Sequence, residues 1–435
     1  MKRFLPALFL SAACGAGLVD HGGVDLQTVG RLQCTLPQQD CGGTACVSTE
    51  KDVNNCGTCG LVCATPQHST SKCEASKCGF TCNPGFFQCA SQGCCPASAL
   101  AAGGDTTCAI VEGSVDCWGS NDSWQLGTDP AGAAWSARPV PVPGVPVAGS
   151  VAVGLRHACA ILAGTGEVMC WGANGSAQLG VASGNAPVKV PGVSAAQSLA
   201  LGDRHSCAGT GTGVICWGAN DFGQLGQGGT PSATGAPGPV TVIGAVTSLS
   251  AGTGFTCAVS GSNLYCWGTN STYQFGESSP PFSATPFLVN VSAPTAVAAG
   301  DAHACAIGSG SKFYCWGVSS SGQVGNGNTN ATSSVAGLNL LGSLVAAGAS
   351  HTCAVSGGSA FCWGASNFGQ LGMSSPNPTK PFQLGTISAV QKIALGANHS
   401  CAQTGDGAVY CWGNNGSGQV GAPVGGTVLT PRPID

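Results

Sequence analysis

The 435-residue chain carries 14 Lys and Arg against 18 Asp and Glu, a net charge of -4 and a charged fraction of only 7%. With so few cations it cannot neutralise a nucleic-acid backbone, so electrostatic capture of DNA or RNA is excluded. Hydrophobic residues at 43% supply a large core, which argues against disorder, and the 70 glycines run in no G-X-Y triplet, which excludes collagen and favours a turn-rich, all-β chain.

Lys2 and Arg3 precede an apolar stretch from Phe4 to Leu10, then the small residues Ser11, Ala12 and Ala13 before Cys14. A basic start, a short apolar run and a small-residue cleavage site read as an export signal over residues 1–13, too short to stay in a bilayer as a helix. The string LSAAC resembles the bacterial lipobox, which implies acylation of Cys14 and makes that lipid the chain's contact with a membrane. It departs from the motif in one respect: Leu10 stands four residues before Cys14, where the lipobox prefers three. An ordinary secretory signal is the alternative.

Setting Cys14 aside leaves 26 of the 27 cysteines, 12 between Cys34 and Cys95 and 14 between Cys108 and Cys411. Both sets can pair completely. Such a framework persists only in an oxidising compartment, so the expected location is extracytoplasmic, as an outer-membrane lipoprotein or a secreted protein.

Residues 14–33 read as a tether, and residues 34–95 as a small module too poor in aliphatics to fold without covalent staples. Cys56-Gly-Thr-Cys59 and Cys78-x3-Cys82 also have zinc-ligand spacing, but an even count in an exported chain favours disulfides, with their connectivity open. The run NNCGTCGLVC, followed by Cys73, Cys78 and Cys82, resembles the cysteine-rich modules of the stigma-specific type. That resemblance implies an extracellular spacer or adhesive module.

From residue 96 to the end the chain repeats. The tripeptide CWG occurs seven times, at Cys117, Cys170, Cys216, Cys266, Cys315, Cys362 and Cys411, and each copy has a second cysteine upstream. Periods near 50 residues with several short β-like runs mark the blades of a propeller. In the unit ending at Gly172, the runs ARPVPVPG, SVAVG, HACAIL and EVMCWG make four strands separated by turns. The expected fold is all-β: a seven-bladed propeller of four-stranded blades over residues 96–435, preceded by the disulfide-rich module.

The cysteine spacing predicts a staple inside each blade. Where the cysteines are nine apart, at Cys108/Cys117, Cys207/Cys216, Cys257/Cys266 and Cys353/Cys362, a two-residue hairpin makes them a directly facing, non-hydrogen-bonded pair. Such pairs hold their Cα atoms ~4.5 Å apart, inside the disulfide window of ~4.4 to 6.8 Å. Spacing ten, at Cys305/Cys315 and Cys401/Cys411, needs a three-residue loop, and spacing eleven, at Cys159/Cys170, a longer one. The first copy lacks the Pro-rich run that opens the others, and the chain ends in LTPRPID. Residues near Thr430 to Ile434 are therefore expected to add a strand to the blade started near Ala97 and shut the ring.

The pattern AxGxxHxCA...VxCWGxNxxGQLG, seen in ALGDRHSCAGTGTGVICWGANDFGQLG and ALGANHSCAQTGDGAVYCWGNNGSGQVG, closely resembles the repeat of the regulator of chromosome condensation family. The resemblance implies a seven-bladed propeller, and the paired cysteines imply an exported bacterial branch. The eponymous family activity is guanine-nucleotide exchange on a nuclear GTPase, aided by a basic tail that this chain does not have. The family also includes a secreted bacterial propeller that binds β-lactamases through its loop face, which is closer in compartment.

His157, His205, His303, His351 and His399 occupy one repeat position, where the other copies place Thr106 and Phe255. A ring of histidines could converge on an axial metal, but a hydrogen bond to a neighbouring turn is the simpler account, and no metal or cofactor is expected. Catalysis needs paired carboxylates or an activated nucleophile. The propeller holds only 12 Asp and Glu without a recurring pattern, Asp203, Asp301 and Asp105 read as turn formers, and no GxSxG elbow occurs.

Aromatics that interrupt the NxxGQLG loop, Trp124, Phe222, Tyr273 and Phe368, are candidate partner contacts, because they offer large rigid area. They could equally cover their own blades. The sequence thus describes a monomeric, non-enzymatic interaction scaffold for a protein partner, with glycan as a further ligand class and nucleic acid excluded. An extracellular carbohydrate hydrolase or lyase acting over the axis, and nucleotide exchange by family analogy, are the alternatives.

Overall fold

The structure, a computed structural model, describes residues 34–35, 38–42, 45–90, 93–373 and 376–435. Cys14, the signal segment and the tether lie outside the described residues. The chain forms two compact units, one of residues up to Ala64 with Ser71–Gly79, the other of Thr65–Thr70 with Phe80–Asp435.

The smaller unit has the short sheet Gln38–Gln39 against Val47–Ser48, most of the hairpin of Ser69–Glu74 with Lys77–Cys82, and four disulfides: Cys34–Cys46, Cys41–Cys59, Cys56–Cys73 and Cys63–Cys78. Its buried core is made of Cys56, Cys63 and Cys73 with Val53 beside them, so sulfur takes the place of aliphatic packing. The zinc-like pair Cys56/Cys59 is divided between two different disulfides.

Residues 80–95, which the cysteine pattern groups with this module, belong instead to the larger unit, where Cys82–Cys94 and Cys89–Cys95 close them. Phe87 anchors them there, its ring buried in one cluster with Trp118 and 6.1 Å from it.

The larger unit holds seven four-stranded antiparallel sheets, the blades. In the first, the inner strand Ala99–Gly103 is followed outward by Thr106–Val111, Ser114–Ser120 and Trp135–Pro141. The last repeats this with Val390–Leu395, His399–Thr404, Val409–Asn414 and Thr427–Pro433. The second strand is buried throughout in blade one, which is why it is spelled TTCAIV, with no charged residue.

Within each blade the two cysteines are direct register partners and are disulfide-bonded, with Cα–Cα 4.1 Å in all seven. The hairpin loops have the lengths that the spacing requires: Val111 pairs with Ser114, Gly308 with Lys312 and Ile161 with Val168.

Each CWG tryptophan is fully buried against the blade before it. Trp171, for example, packs on Cys108, Cys117, Leu126 and Val142. At the axis the inner strands meet through glycines. A Cβ on Gly202 would stand 2.4 Å from the Gly252 carbonyl oxygen, and one on Gly300 2.4 Å from that of Gly348. Only a residue without a side chain lets neighbouring blades approach this closely.

The order of strands corrects the expected closure. Thr427–Pro433 does not join the blade begun near Ala97; it pairs with Val409–Asn414, Cys411 facing Arg432, as the outer strand of blade seven. The Pro-rich runs likewise end their blades rather than open the next: Val140 faces Cys117 in blade one. After the third strand, the open edge of the same sheet is the nearest pairing partner, and the chain takes it. The prolines then leave those outer edges short of donors, which discourages pairing with other chains.

Closure comes from packing. Ile434 lies on Trp118 in one buried cluster with Cys401, Cys411 and Val420, as Val142 lies on Trp171. Gln403 Nε2 donates to the Ala97 carbonyl at 2.6 Å, and Lys392 Nζ donates to that of Ser98.

Candidate functional site

One face of the ring is built by two sets of loops. The turn after each inner strand accepts a backbone hydrogen bond from the end of that blade's third strand, as in Ala219 N to Arg204 O at 2.7 Å and Thr269 N to Gly254 O at 2.9 Å. The axial turns and the loops that follow CWG therefore share a face.

The NxxGQLG segment of those loops is scaffold. Asn220 Oδ1 accepts from Leu225 N at 3.1 Å, and Gln224 Oε1 from Phe222 N at 2.8 Å, with both polar side chains buried. Each such pair satisfies the loop's own backbone and holds the residue between them in place.

That geometry decides where the interrupting aromatics go. Phe222 and Phe368 stand immediately before the loop glycine and are 46% and 40% exposed. Trp124 and Tyr273 take the glycine position itself, at φ 70° and 69°, and are half-buried. A bulky residue in the left-handed region is unusual and is strained by roughly 1 kcal/mol or more. Blade two has Ala177 at this position, at φ 57°, while in blades three and seven its glycine abuts the outer strand of the next blade: a Cβ on Gly223 would stand 2.6 Å from Ala284 Cα, and one on Gly418 the same distance from Ala137 Cα.

Two further aromatics, missed in the sequence, lie on the same side. Trp135 and Phe282 open the outer strands of blades one and four, opposite Ser120 and Thr269, and are 48% and 46% exposed. The parallel strings AWSARP and PFSATP carried the signal.

The five histidines do not face an axial metal. Each is fully buried, with Nε2 on a hydroxyl of the next blade: His157 on Ser206 at 2.8 Å, His205 on Thr256 at 2.8 Å, His303 on Thr352 at 2.9 Å, His351 on Ser400 at 3.0 Å and His399 on Thr107 at 2.8 Å. Those hydroxyls donate to the backbone carbonyl of the loop Gln, as Ser206 does to Gln178 at 2.8 Å, so they must accept from imidazole Nε2–H. The same carbonyl also accepts from the next blade's indole, Trp217 Nε1 to Gln178 O at 2.8 Å. Burial pushes His157, His351 and His399 down to about 3, and His205 and His303 down to about 4. They are neutral clasps between blades.

The axis itself is a channel of about 300 Å³, lined by the inner strands of all seven blades, with Leu155, Asp203, Thr253 and Asp301 at the loop face. Burial raises the carboxyl of Asp301, the Thr253 hydrogen bond opposes this, and the charge of Asp203 adds to it. Burial also raises Asp203, against the nearby Arg204 and Arg156. These two carboxylates, expected only to form turns, thus share the mouth of the channel.

Two models of the regulator of chromosome condensation (RCC1) repeat match the chain, one over residues 150–178, 295–323 and 390–419, the other over 213–259 and 357–403. No curated protein matches it in sequence. Among solved structures it is similar to yeast RCC1 (Prp20) bound to Kap60, at TM-score 0.68 and 21% identity over 74% of this chain and 83% of that one. Prp20p from Saccharomyces cerevisiae aligns at 0.67 and 21%, over 74% and 86%. Human WBSCR16 aligns at 0.65 and 18%, over 79% and 94%. Identities this low are evidence of fold alone. The chain thus carries regulator of chromosome condensation (RCC1) repeats over the matched residues, within a seven-bladed propeller.

Proposed function

We propose that this protein is an extracytoplasmic, non-enzymatic platform, carried on a lipid at Cys14 or secreted, that grips a protein partner with the loop face of its propeller. The observation that carries the reading is the pair Phe222 and Phe368, exposed at one loop position three blades apart. The Phe222 loop is fixed by the buried Asn220 and Gln224 side chains and the Phe368 loop by the buried Gln370, which accepts from Phe368 N at 2.9 Å, so both rings cost little entropy to immobilise. A disulfide in every blade fits an oxidising compartment. A propeller of this fold is seen in complex with Kap60, which supports a protein ligand for the architecture. The low surface charge favours shape and apolar contact over electrostatic steering.

The test is cross-linking capture from the extracytoplasmic fraction with the full chain and with Phe222→Ser and Phe368→Ser. A single partner that the parent captures and both variants lose supports the reading; capture undiminished in both variants overturns it. Mass spectrometry of the intact mature protein reads acylation at Cys14 separately.

A second reading, a carbohydrate hydrolase or lyase, draws on Asp203 and Asp301, whose raised carboxyls border the channel. It predicts glycan turnover that Asp203→Asn and Asp301→Asn abolish.

A further inference from the structure

The outer strand of each blade has a free edge, and the register of the disulfide decides which of its backbone groups look outward. The two cysteines of a blade face each other with Cα atoms 4.1 Å apart, as a non-hydrogen-bonded pair. The CWG cysteine therefore turns its N–H and C=O to the outer strand instead. In blade one it faces Val140, and the next bond along, Val142 N to Val115 O at 2.8 Å, keeps the same alternation. The residues on either side of the facing residue thus point their backbone groups away from the sheet.

In six blades the first of these outward residues is a proline: Pro139, Pro187, Pro237, Pro286, Pro381 and Pro431. In blades one, three and seven the second is a proline as well. Proline has no N–H to offer, so these edges are closed to an added strand. Blade five departs from the pattern. Ala336 faces Cys315, and its outward neighbours are Val335 and Gly337. Its outer strand, Thr332–Leu341, is ten residues long against two to eight in the other blades, and none of the ten is charged. Val335 holds the proline's place in space too: it lies beside Gly276 of blade four as Pro237 lies beside Gly180 of blade two. Six blades complete their ladders with no donor at this place, so the Val335 N–H is surplus to the sheet.

Lys312 marks what the edge accepts. Its ammonium lies 5.7 Å over the Tyr314 ring and alongside Gly337, where a Cβ would stand 3.1 Å from Nζ. No carboxylate pairs with it among the described residues. The bare Gly337 leaves room next to a cation without a counter-ion, and a side chain on an added strand opposite Gly337 reaches it. Two copies of this chain meeting edge to edge would bring two Lys312 ammoniums to one seam with no carboxylate between them. We infer that the outer edge of blade five, at Val335 and Gly337, docks an extended segment of a different protein, which pairs as a fifth strand and sets an Asp or Glu against Lys312. This surface lies on the rim of the ring and does not depend on the loop-face reading.

The test pans a displayed library of random linear peptides on the intact, disulfide-bonded chain and measures the recovered peptides, resynthesised, on the parent and its variants. Val335→Pro copies the six closed edges and Gly337→Pro copies blades one, three and seven, so both should fold, which thermal unfolding checks. Recovered peptides should carry Asp or Glu and bind both proline variants about tenfold more weakly or worse, with a several-fold loss on Lys312→Gln. Methylating alternate backbone nitrogens of a recovered peptide should abolish its binding, because only a paired strand needs those donors. Phe222→Ser and Phe368→Ser should leave the affinity unchanged, which separates this edge from the loop face. Recovery of no peptide, or of peptides indifferent to the two proline variants or to Lys312→Gln, overturns the proposal. So does a parent protein that forms a dimer which Val335→Pro dissolves, since the edge would then belong to a second copy.

Discussion

His399 Nε2 lies 2.8 Å from Thr107 Oγ1 and joins residues 292 positions apart, tying the last blade to the first with the bond that also ties the second to the third. Thr107 Oγ1 passes the connection on to the Gln419 carbonyl at 2.9 Å. Thr107→Val should therefore strand a buried imidazole N–H and a carbonyl together, at a cost of about 2 kcal/mol. Ala158→Val, at the matching place in a joint without a histidine, strands no polar group. Guanidinium unfolding of the two variants checks this: equal losses would show that the clasp contributes nothing beyond packing.

Acid should weaken the fold well above the folded pKa values of about 3 and about 4 of these histidines. Their pKa values are depressed, so the unfolded chain takes up protons first. The stabilisation is complete above the ordinary value near 6.5 and falls as pH drops from there toward the folded values. Each histidine contributes a slope of about 1.4 kcal/mol per pH unit in that window. Asp203 and Asp301, raised by burial above the ordinary carboxylate value, act in the opposite sense at the acid end of the same window, gaining protons in the folded state first as pH falls toward that value. Unfolding midpoints at pH 7 and pH 4.5 measure the effect, and His205→Phe with Thr256→Ala, which imitates the joint at Phe255, should flatten the profile by one histidine's share.

The indole of Trp118 differs from its six counterparts. Its Nε1 is buried without a partner among the described residues, while Trp217 donates to Gln178 O and Trp412 to Gln370 O, at 2.9 Å in the latter. Trp217→Phe should cost about 1 kcal/mol more than Trp118→Phe, since only the first breaks a hydrogen bond. Thermal unfolding of both variants decides the matter.

Replacing one intra-blade disulfide, Cys257→Ala with Cys266→Ala, should cost about 2 kcal/mol and leave the ring folded, because the loop it closes is only nine residues long. A loss of all structure would show that the staples are needed for folding, not only for stability.

Gly202→Ala should be far more harmful than its single methyl suggests. The new Cβ would sit 2.4 Å from the Gly252 carbonyl oxygen and 2.4 Å from His205 Cε1, both in rigid surroundings. The expected loss is about 3 kcal/mol or more, in the upper range for one substitution. Gly385→Ala, where a Cβ meets nothing within 4 Å, is the control.

Much of this molecule can be read from local chain geometry. The hairpin lengths and the pairing of Cys108 with Cys117 depend on residues a dozen apart or fewer, and a β-hairpin leaves such neighbours little choice of partner. The exposed pair Phe222 and Phe368 was legible for the same reason, as departures from a repeated loop. The fate of the Pro-rich runs was not, since each lies between two CWG strands and only the packed sheet shows which it joins. The alternation of histidine with hydroxyl was also written in the chain, yet it links residues some 49 apart. Its meaning appears only when blade follows blade in space: hydrogen bonds across a joint depend on where two backbones are brought to rest, and that is set by the buried tryptophans and axial glycines of the whole ring.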